Sequence, residues 1–245
     1  TNIMKTLTIH RAESRGLADH GWLKSYHTFS FANYYHPDRM QFGALRVLND
    51  EMVAGGEGFG NHPHENMEII SIPLEGSIHQ TDNLGNTGII PQGAVQVMSA
   101  GTGISHSEFN NSKDAAVKFL EIWLFPKIRN TAPRYDHIHI NESDRKNQFR
   151  KIISPYSQKE GAWVYQDAWF YMSKMDAGLH LDYKLNQSDS GVYAFVLNGS
   201  LKVNKQLIHS RDGIGITGHS VVSFEAVNDS EVLLMEIPMN MNIAS

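Results

Sequence analysis

Gly60-Asn61-His62-Pro63-His64-Glu65-Asn66-Met67-Glu68 and Gly103-Ile104-Ser105-His106-Ser107-Glu108 are the two stretches on which the reading of this chain turns. His62 and His64 stand two residues apart. On a β-strand, alternation puts both side chains on one face, and Glu68 shares their parity. His106 and Glu108 repeat the spacing in the second stretch. Two such strands facing each other in a small barrel bring three imidazoles and a carboxylate to one point. That donor set suits a divalent first-row metal with coordination positions left open. A lone His-x-His pair is also met among ordinary surface histidines, so the surroundings decide.

The surroundings follow a pattern. Gly56, five residues, His62-x-His64, three residues, Glu68 and then Gly76 match the first cupin motif. Gly85, five residues and Pro91-x-Gly93 begin the second, which closes on His106 and Asn110. Gly76 falls one residue late, and the gap from Gly93 to His106 is longer than in a simple cupin.

Leu74-Glu75-Gly76, Ser99-Ala100-Gly101-x-Gly103-Ile104-x-His106-Ser107-Glu108, His27-Thr28-Phe29-Ser30-Phe31 and Leu45-Arg46-Val47-Leu48-Asn49-Asp50 complete a resemblance to the pirin family of bicupins. Among pirins the chain is most similar to bacterial members with quercetin 2,3-dioxygenase activity. The resemblance covers nearly all of the N-terminal half and is looser beyond it. It implies an all-β bicupin: two stacked β-barrels of jelly-roll type with few short helices. It implies metal ligands at His62, His64, His106 and Glu108, with Glu68 as the alternative carboxylate because many other cupins use it. Each ligating imidazole should have its second nitrogen hydrogen-bonded.

The C-terminal half echoes the N-terminal half. Leu197-Asn198-Gly199-Ser200 echoes Leu74-Glu75-Gly76-Ser77, and Asn228-Asp229-Ser230 echoes Asn110-Asn111-Ser112. Such self-similarity reads as an internal duplication. The segment between Pro126 and Phe149 is polar and serves as the connection, with a short helix expected near Ser143. The expected division is a metal-binding barrel over residues 1–130 and a barrel without metal over 131–245. Counting back from the second Asn-x-Ser puts Phe224 and Ala226 at the places of His106 and Glu108. Counting back from Gly199 puts the places of His62 and His64 near Leu185 and Gln187. His180, His209 and His219 read as ordinary surface histidines. Strands are expected over residues 4–10, over Phe42–Leu48 with Asn49-Asp50 closing it, and over Glu68–Leu74.

Composition narrows the function classes. There is no cysteine among 245 residues, which excludes thiolate catalysis, thiolate-bound metal and disulfides, and fits a reducing, cytoplasmic location. No apolar run approaches the ~20 residues that span a bilayer. The formal charge is −5, and the one dense basic group, Arg145-Lys146 with Arg150-Lys151, reads as a solvated face. Neither nucleic acid nor membrane is an expected partner, and a monomer is expected.

Three neutral imidazoles and one carboxylate leave a divalent ion with a net charge of +1. Fe(II) is the expected ion; nickel, copper and manganese also suit the set, and zinc would bind without redox chemistry. A flavonol offers adjacent hydroxyl and ketone oxygens that chelate such an ion, and Glu108 or Glu68 is placed to take the hydroxyl proton. Phe29, Phe31 and Phe59 favour a planar apolar ligand. The resemblance then implies oxidative cleavage of quercetin or a related flavonol by dioxygen, with release of carbon monoxide. The alternative is a metal-dependent, redox-sensitive regulator acting through protein partners.

Overall fold

Short runs of β-branched and aromatic residues, punctuated by Gly, Asn and Pro, build strands through most of residues 3–241, the part that this computed structural model describes. The first half contains β1 (Thr6–His10), β2 (Gly16–Asp19), β3 (Leu23–His27), β4 (Leu45–Val53), β5 (Gly58–His64), β6 (Glu68–Glu75), β7 (Ser77–Asp82), β8 (Thr87–Pro91), β9 (Ala94–Ser99), β10 (Ile104–Asn110) and β11 (Val117–Leu124). Then come β12 (Arg134–His139), α1 (Glu142–Arg145), β13 (Arg150–Pro155), β14 (Ala162–Val164), β15 (Trp169–Met175), β16 (His180–Lys184), β17 (Ser190–Asn198), β18 (Ser200–Val203), β19 (Gln206–His209), β20 (Gly213–Thr217), β21 (Val221–Ala226) and β22 (Ser230–Pro238). The helix lies where Ser143 predicts one. Among the described residues no helix is long and apolar enough to cross a membrane.

The strands form two barrels of one design. A seven-stranded sheet ordered β12-β9-β6-β11-β4-β3-β2 faces a four-stranded sheet ordered β5-β10-β7-β8. In the second barrel, β1-β20-β17-β22-β15-β13-β14 faces β16-β21-β18-β19. From β9 to β4 and from β20 to β15 the orders correspond, which is the duplication read from the sequence; at the outer end β2 lies antiparallel to β3 whereas β14 lies parallel to β13. The turns after β6 and β17 both carry glycine in the left-handed region, Gly76 at φ 77° and Gly199 at φ 83°. At Gly199 a Cβ would also lie 2.4 Å from the carbonyl oxygen of Asp229. The outermost strands cross over: β1 pairs with β20 of the C-terminal sheet, and β12 pairs with β9 of the N-terminal one.

The seven-stranded sheets stack face to face. In β11, Leu120, Ile122 and Leu124 point into the layer between them and meet Phe170, Met172, Phe195 and Met235 from the other sheet. Phe119, on the opposite face of β11, points into the first barrel, as Val232 and Leu234 of β22 point into the second. Each fully buried side chain of this kind contributes roughly 1.5–3 kcal/mol. The second barrel is filled by one apolar cluster that includes Val192, Val196, Leu201, Phe224 and Leu234. The first is not. Its apolar clusters lie apart, one around Phe119 and Ile78, the other around Ile69 and Met98. Ser25, Glu51, Gln80, Glu108 and Glu121 are buried among the polar residues of the same half.

The strand expected over Phe42–Leu48 is displaced. Gly43, at φ 52°, turns the chain, and Phe42 makes only an isolated bridge to Leu45. Asn49 and Asp50 do not close β4, which runs on to Val53. Asn49 stands opposite both His27 and Glu121 in the ladder, so pairing overrides its turn preference.

Candidate metal centre

β5 and β10 pair antiparallel, with His106 opposite His62 and Ile104 opposite His64. Alternation works as expected on both strands. Pro63 is exposed while His62 and His64 turn inward, and His106 and Glu108 are 1% and 3% exposed. The register shifts between His106 and Glu108, so Gly60 and Asn61 together face Ser107 in a β-bulge. The bulge serves the site: the Gly60 carbonyl accepts a 2.7 Å hydrogen bond from His62 Nδ1, leaving Nε2 as the free lone pair.

The three rings meet at centroid distances of 4.4 to 4.9 Å. One ligand atom from each of His62, His64 and His106 lies within 4.8 Å of the others. His64 Nε2 and His106 Nε2 are 3.0 Å apart, and Glu108 Oε1 is 3.2 Å from His106 Nε2. Burial, and then the neighbouring His62, holds His64 down at about 4. Burial followed by His62 and His64 holds His106 at about 3. Both rings are therefore neutral at neutral pH and offer lone pairs. Burial first, and Glu121 second, push the Glu108 carboxyl well above the usual range. Glu108 Oε2 is buried without a hydrogen-bond partner. Converging neutral imidazoles beside an unpartnered carboxylate oxygen fit a divalent cation, and this group would hold it. His62 has the expected bond behind it, whereas His106 Nδ1 is buried without one.

Glu68 is not in this group. Between β5 and β6 the chain turns through Asn66, at φ 45°, and passes to the other sheet, so parity counted from His64 does not carry across. Glu68 Oε1 instead accepts bonds from Ser99 Oγ at 2.8 Å and from the Tyr165 backbone N–H at 2.6 Å, tying the two halves together. Burial raises it to about 7 against these bonds and the nearby Arg134.

A cavity of about 230 Å³ opens on the imidazoles. Phe31, Phe59 and Trp123 supply aromatic wall, and Phe31 and Trp123 meet edge to face at 5.4 Å. Phe29 does not reach it; that ring is buried between the barrels, 5.7 Å from the ring of Tyr193. The floor holds residues that motif reading missed: Glu51 on β4, Glu121 on β11 and His27 on β3. Their signal in the sequence is polar residues at period two inside otherwise buried strands, Ser25-x-His27, Asn49-x-Glu51 and Glu121-x-Trp123.

Among the described residues the second barrel has no equivalent group. Phe224 stands opposite Val203 as Glu108 stands opposite Gln80, and Val203 and Gln80 each lie four residues after the turn glycine. Phe224 therefore takes the place of Glu108 and buried Val222 that of His106, two residues before the positions counted from the second Asn-x-Ser. Pairing puts Tyr183 opposite Val222, so Tyr183 stands where His62 does, and Leu185, two residues on, stands where His64 does. That is two residues before the positions counted from Gly199, because the link from β16 to β17 is two residues longer than that from β5 to β6. His180 and His209 are exposed, pairing with Asp182 and Ser200.

Fold and site together define a bicupin with a metal-binding group of three histidines in its N-terminal barrel. The pirin family model matches residues 9–124, and that of the quercetinase C-terminal cupin domain matches 151–237. The chain is 38% identical to the quercetin 2,3-dioxygenase of Escherichia coli K12 over 233 residues, 94% of this chain and 98% of that one. It is 40% identical to a pirin-like protein of Caulobacter vibrioides over 90% of this chain and 95% of that one. The structure of the bacterial pirin YhhW from Escherichia coli in complex with nickel(II) superposes with a TM-score of 0.90 at 37% identity, covering 95% of this chain and 99% of that one. This chain belongs to the pirin family.

Proposed function

We propose that the protein cleaves quercetin or a related flavonol with dioxygen, using a divalent transition metal held by His62, His64, His106 and Glu108. The observation that carries this reading is the opening of the imidazole–carboxylate group onto an aromatic-walled cavity. The activity named for the Escherichia coli relative agrees with it. When bound, the metal supplies Lewis acidity toward the chelating hydroxyl and ketone oxygens and a redox path to dioxygen.

The chain's own residues do the rest. Phe31, Phe59 and Trp123 grip a planar ring system and exclude water from its faces. Glu108 stands at the imidazoles with an oxygen free to accept the flavonol hydroxyl proton. The two ring carbons flanking the hydroxyl-bearing carbon each take one atom of dioxygen, the two carbon–carbon bonds between them break, and the middle carbon leaves with its own oxygen as carbon monoxide, giving an ester. We take Fe(II) as the working ion, with nickel as the direct comparison.

Metal-free protein should be reconstituted separately with Fe(II) and Ni(II). Each form is then given quercetin while oxygen uptake and carbon monoxide are followed, with metal-free protein as control. Uptake and carbon monoxide in equal amounts are expected. A fully metallated protein that consumes no oxygen with any flavonol would overturn the reading and favour a regulatory role.

A further inference from the structure

The cavity floor carries more acceptors than the metal group uses. Glu51 is 5% exposed and its Oε2 has no hydrogen-bond partner. Glu121 is 9% exposed; its Oε1 accepts the Trp123 indole N–H at 3.0 Å. The two are diagonal neighbours on adjacent strands, since Glu51 faces Phe119 and Glu121 faces Asn49. His27 Nδ1 donates to Asn49 Oδ1 at 2.8 Å, which leaves its Nε2 as a further acceptor. All three side chains line the cavity. An acceptor buried without a donor is unfavourable until something donates to it. The apolar walls favour an aromatic body, so the matching ligand is a planar ring system bearing several hydroxyl groups.

We infer that Glu51, assisted by Glu121, is the specificity-determining residue that selects polyhydroxylated flavonols over the bare flavonol skeleton. The inference rests on the proposed flavonol cleavage and adds the part of the substrate that is read beyond its chelating pair. Glu51 accepts from a hydroxyl of the ring system while the hydroxyl–ketone pair sits at the imidazoles. No bond is made or broken at Glu51. A ligand without that hydroxyl leaves Oε2 unpaired, and a site built this way discriminates against such analogues.

The test compares quercetin with the parent flavonol, which keeps the hydroxyl–ketone pair and has no other hydroxyl. Anaerobic binding to metal-loaded protein is read from tryptophan fluorescence, since Trp123 lines the cavity. Turnover of both compounds is measured in parallel, with metal content and thermal midpoint as controls for folding. Wild type should prefer quercetin. Glu51→Leu should lower that preference about tenfold, in affinity and in KM, with the parent flavonol little changed. Glu51→Gln, which keeps a carbonyl acceptor, should restore part of it. An unchanged preference in Glu51→Leu, or equal weakening of both ligands, overturns the inference while flavonol cleavage stands. Equal wild-type affinity for the two compounds does the same. If the metal-loaded wild type neither binds nor cleaves either compound, the proposed function fails and this inference with it.

Discussion

Glu68 separates a structural carboxylate from a catalytic one, and Glu68→Gln is the perturbation that shows which it is. The group is 1% exposed, hydrogen-bonded to Ser99 and to the Tyr165 backbone. Burial lifts it from 4.5 to about 7. A carboxyl raised in the folded state binds more protons there than in the unfolded chain. Its contribution to stability is full below about 4.5 and is lost as pH rises through about 7. With these two values, the loss between pH 5 and pH 8 integrates to about 2.5 kcal/mol. A glutamine keeps the carbonyl acceptor for Tyr165 and Ser99 and cannot ionise. Urea unfolding of both proteins at pH 5, 6, 7 and 8 should therefore show the stability difference moving toward the variant by about 2.5 kcal/mol across the series. Metal content and flavonol turnover should match wild type. Parallel pH profiles would refute the assignment of burial as the governing effect. Loss of turnover at full metal occupancy would make Glu68 the proton acceptor after all.

Further consequences follow from the site and from the turn beside it. His106→Ala should weaken nickel binding by more than the roughly 10–100-fold that removing a group behind a ligand costs; calorimetry reads the affinity, and nickel should raise the thermal midpoint of wild type but not of the variant. Glu108→Gln at matched metal occupancy should lower kcat by about 100-fold or more with a smaller effect on flavonol affinity; normal turnover would move the proton-accepting role elsewhere. Gly101→Ala should destabilise by about 2–4 kcal/mol in denaturant unfolding, because Gly101 sits at φ 51° and a Cβ there would lie 2.0 Å from the Thr131 carbonyl oxygen; a change below about 0.5 kcal/mol would show that the turn relaxes.

The legible part of the site was the part governed by alternation within one strand. His62 with His64, and His106 with Glu108, needed only period two and a partner strand. Glu68 needed parity to survive a left-handed turn at Asn66, and it does not. Glu51 and Glu121 carry only a weak local signal, polar residues at period two in otherwise apolar strands, and that pattern does not say which face turns inward. Their inward placement depends on β4 lying between β3 and β11, a pairing of remote segments. The same limit explains β12. Its sequence, Arg134-Tyr135-Asp136-His137-Ile138-His139, is polar because it forms a partly exposed edge, and only β9 makes it a strand. The Ser99-Ala100-Gly101-x-Gly103 run was legible as a motif; its reason is spatial. Gly101 O accepts from Asn66 N, and Thr102 N donates to Thr131 O, so one turn aligns the starts of β6 and β10.

One strand plan, used twice, thus holds two different interiors, and their buried carboxylates show why, among the described residues, only the first gathers a three-histidine group. Glu236 in the second barrel is fully buried and accepts from the Tyr183 hydroxyl, the Asn186 backbone and side chain, and the Gln187 backbone. Its oxygens are supplied from within the chain, and the rest of that interior is mainly apolar, with Ser173 and Ser190 as buried exceptions. Glu51 and Glu108 in the first barrel each keep a buried oxygen with no donor, at a cost of roughly 1–3 kcal/mol per group. Burial and the proximity of Glu121 act in the same unfavourable direction on both. The second barrel fills the place of Glu108 with Phe224, opposite Leu181, and that of Glu51 with the smaller, uncharged Ser173. Retaining unpaired acceptors beside three neutral imidazoles is favourable only when a cation and a donor-bearing ligand complete them. On the proposed function, the stability lost in the first barrel is the counterpart of binding, while the second barrel packs against it through the shared layer of β11 and β22 side chains.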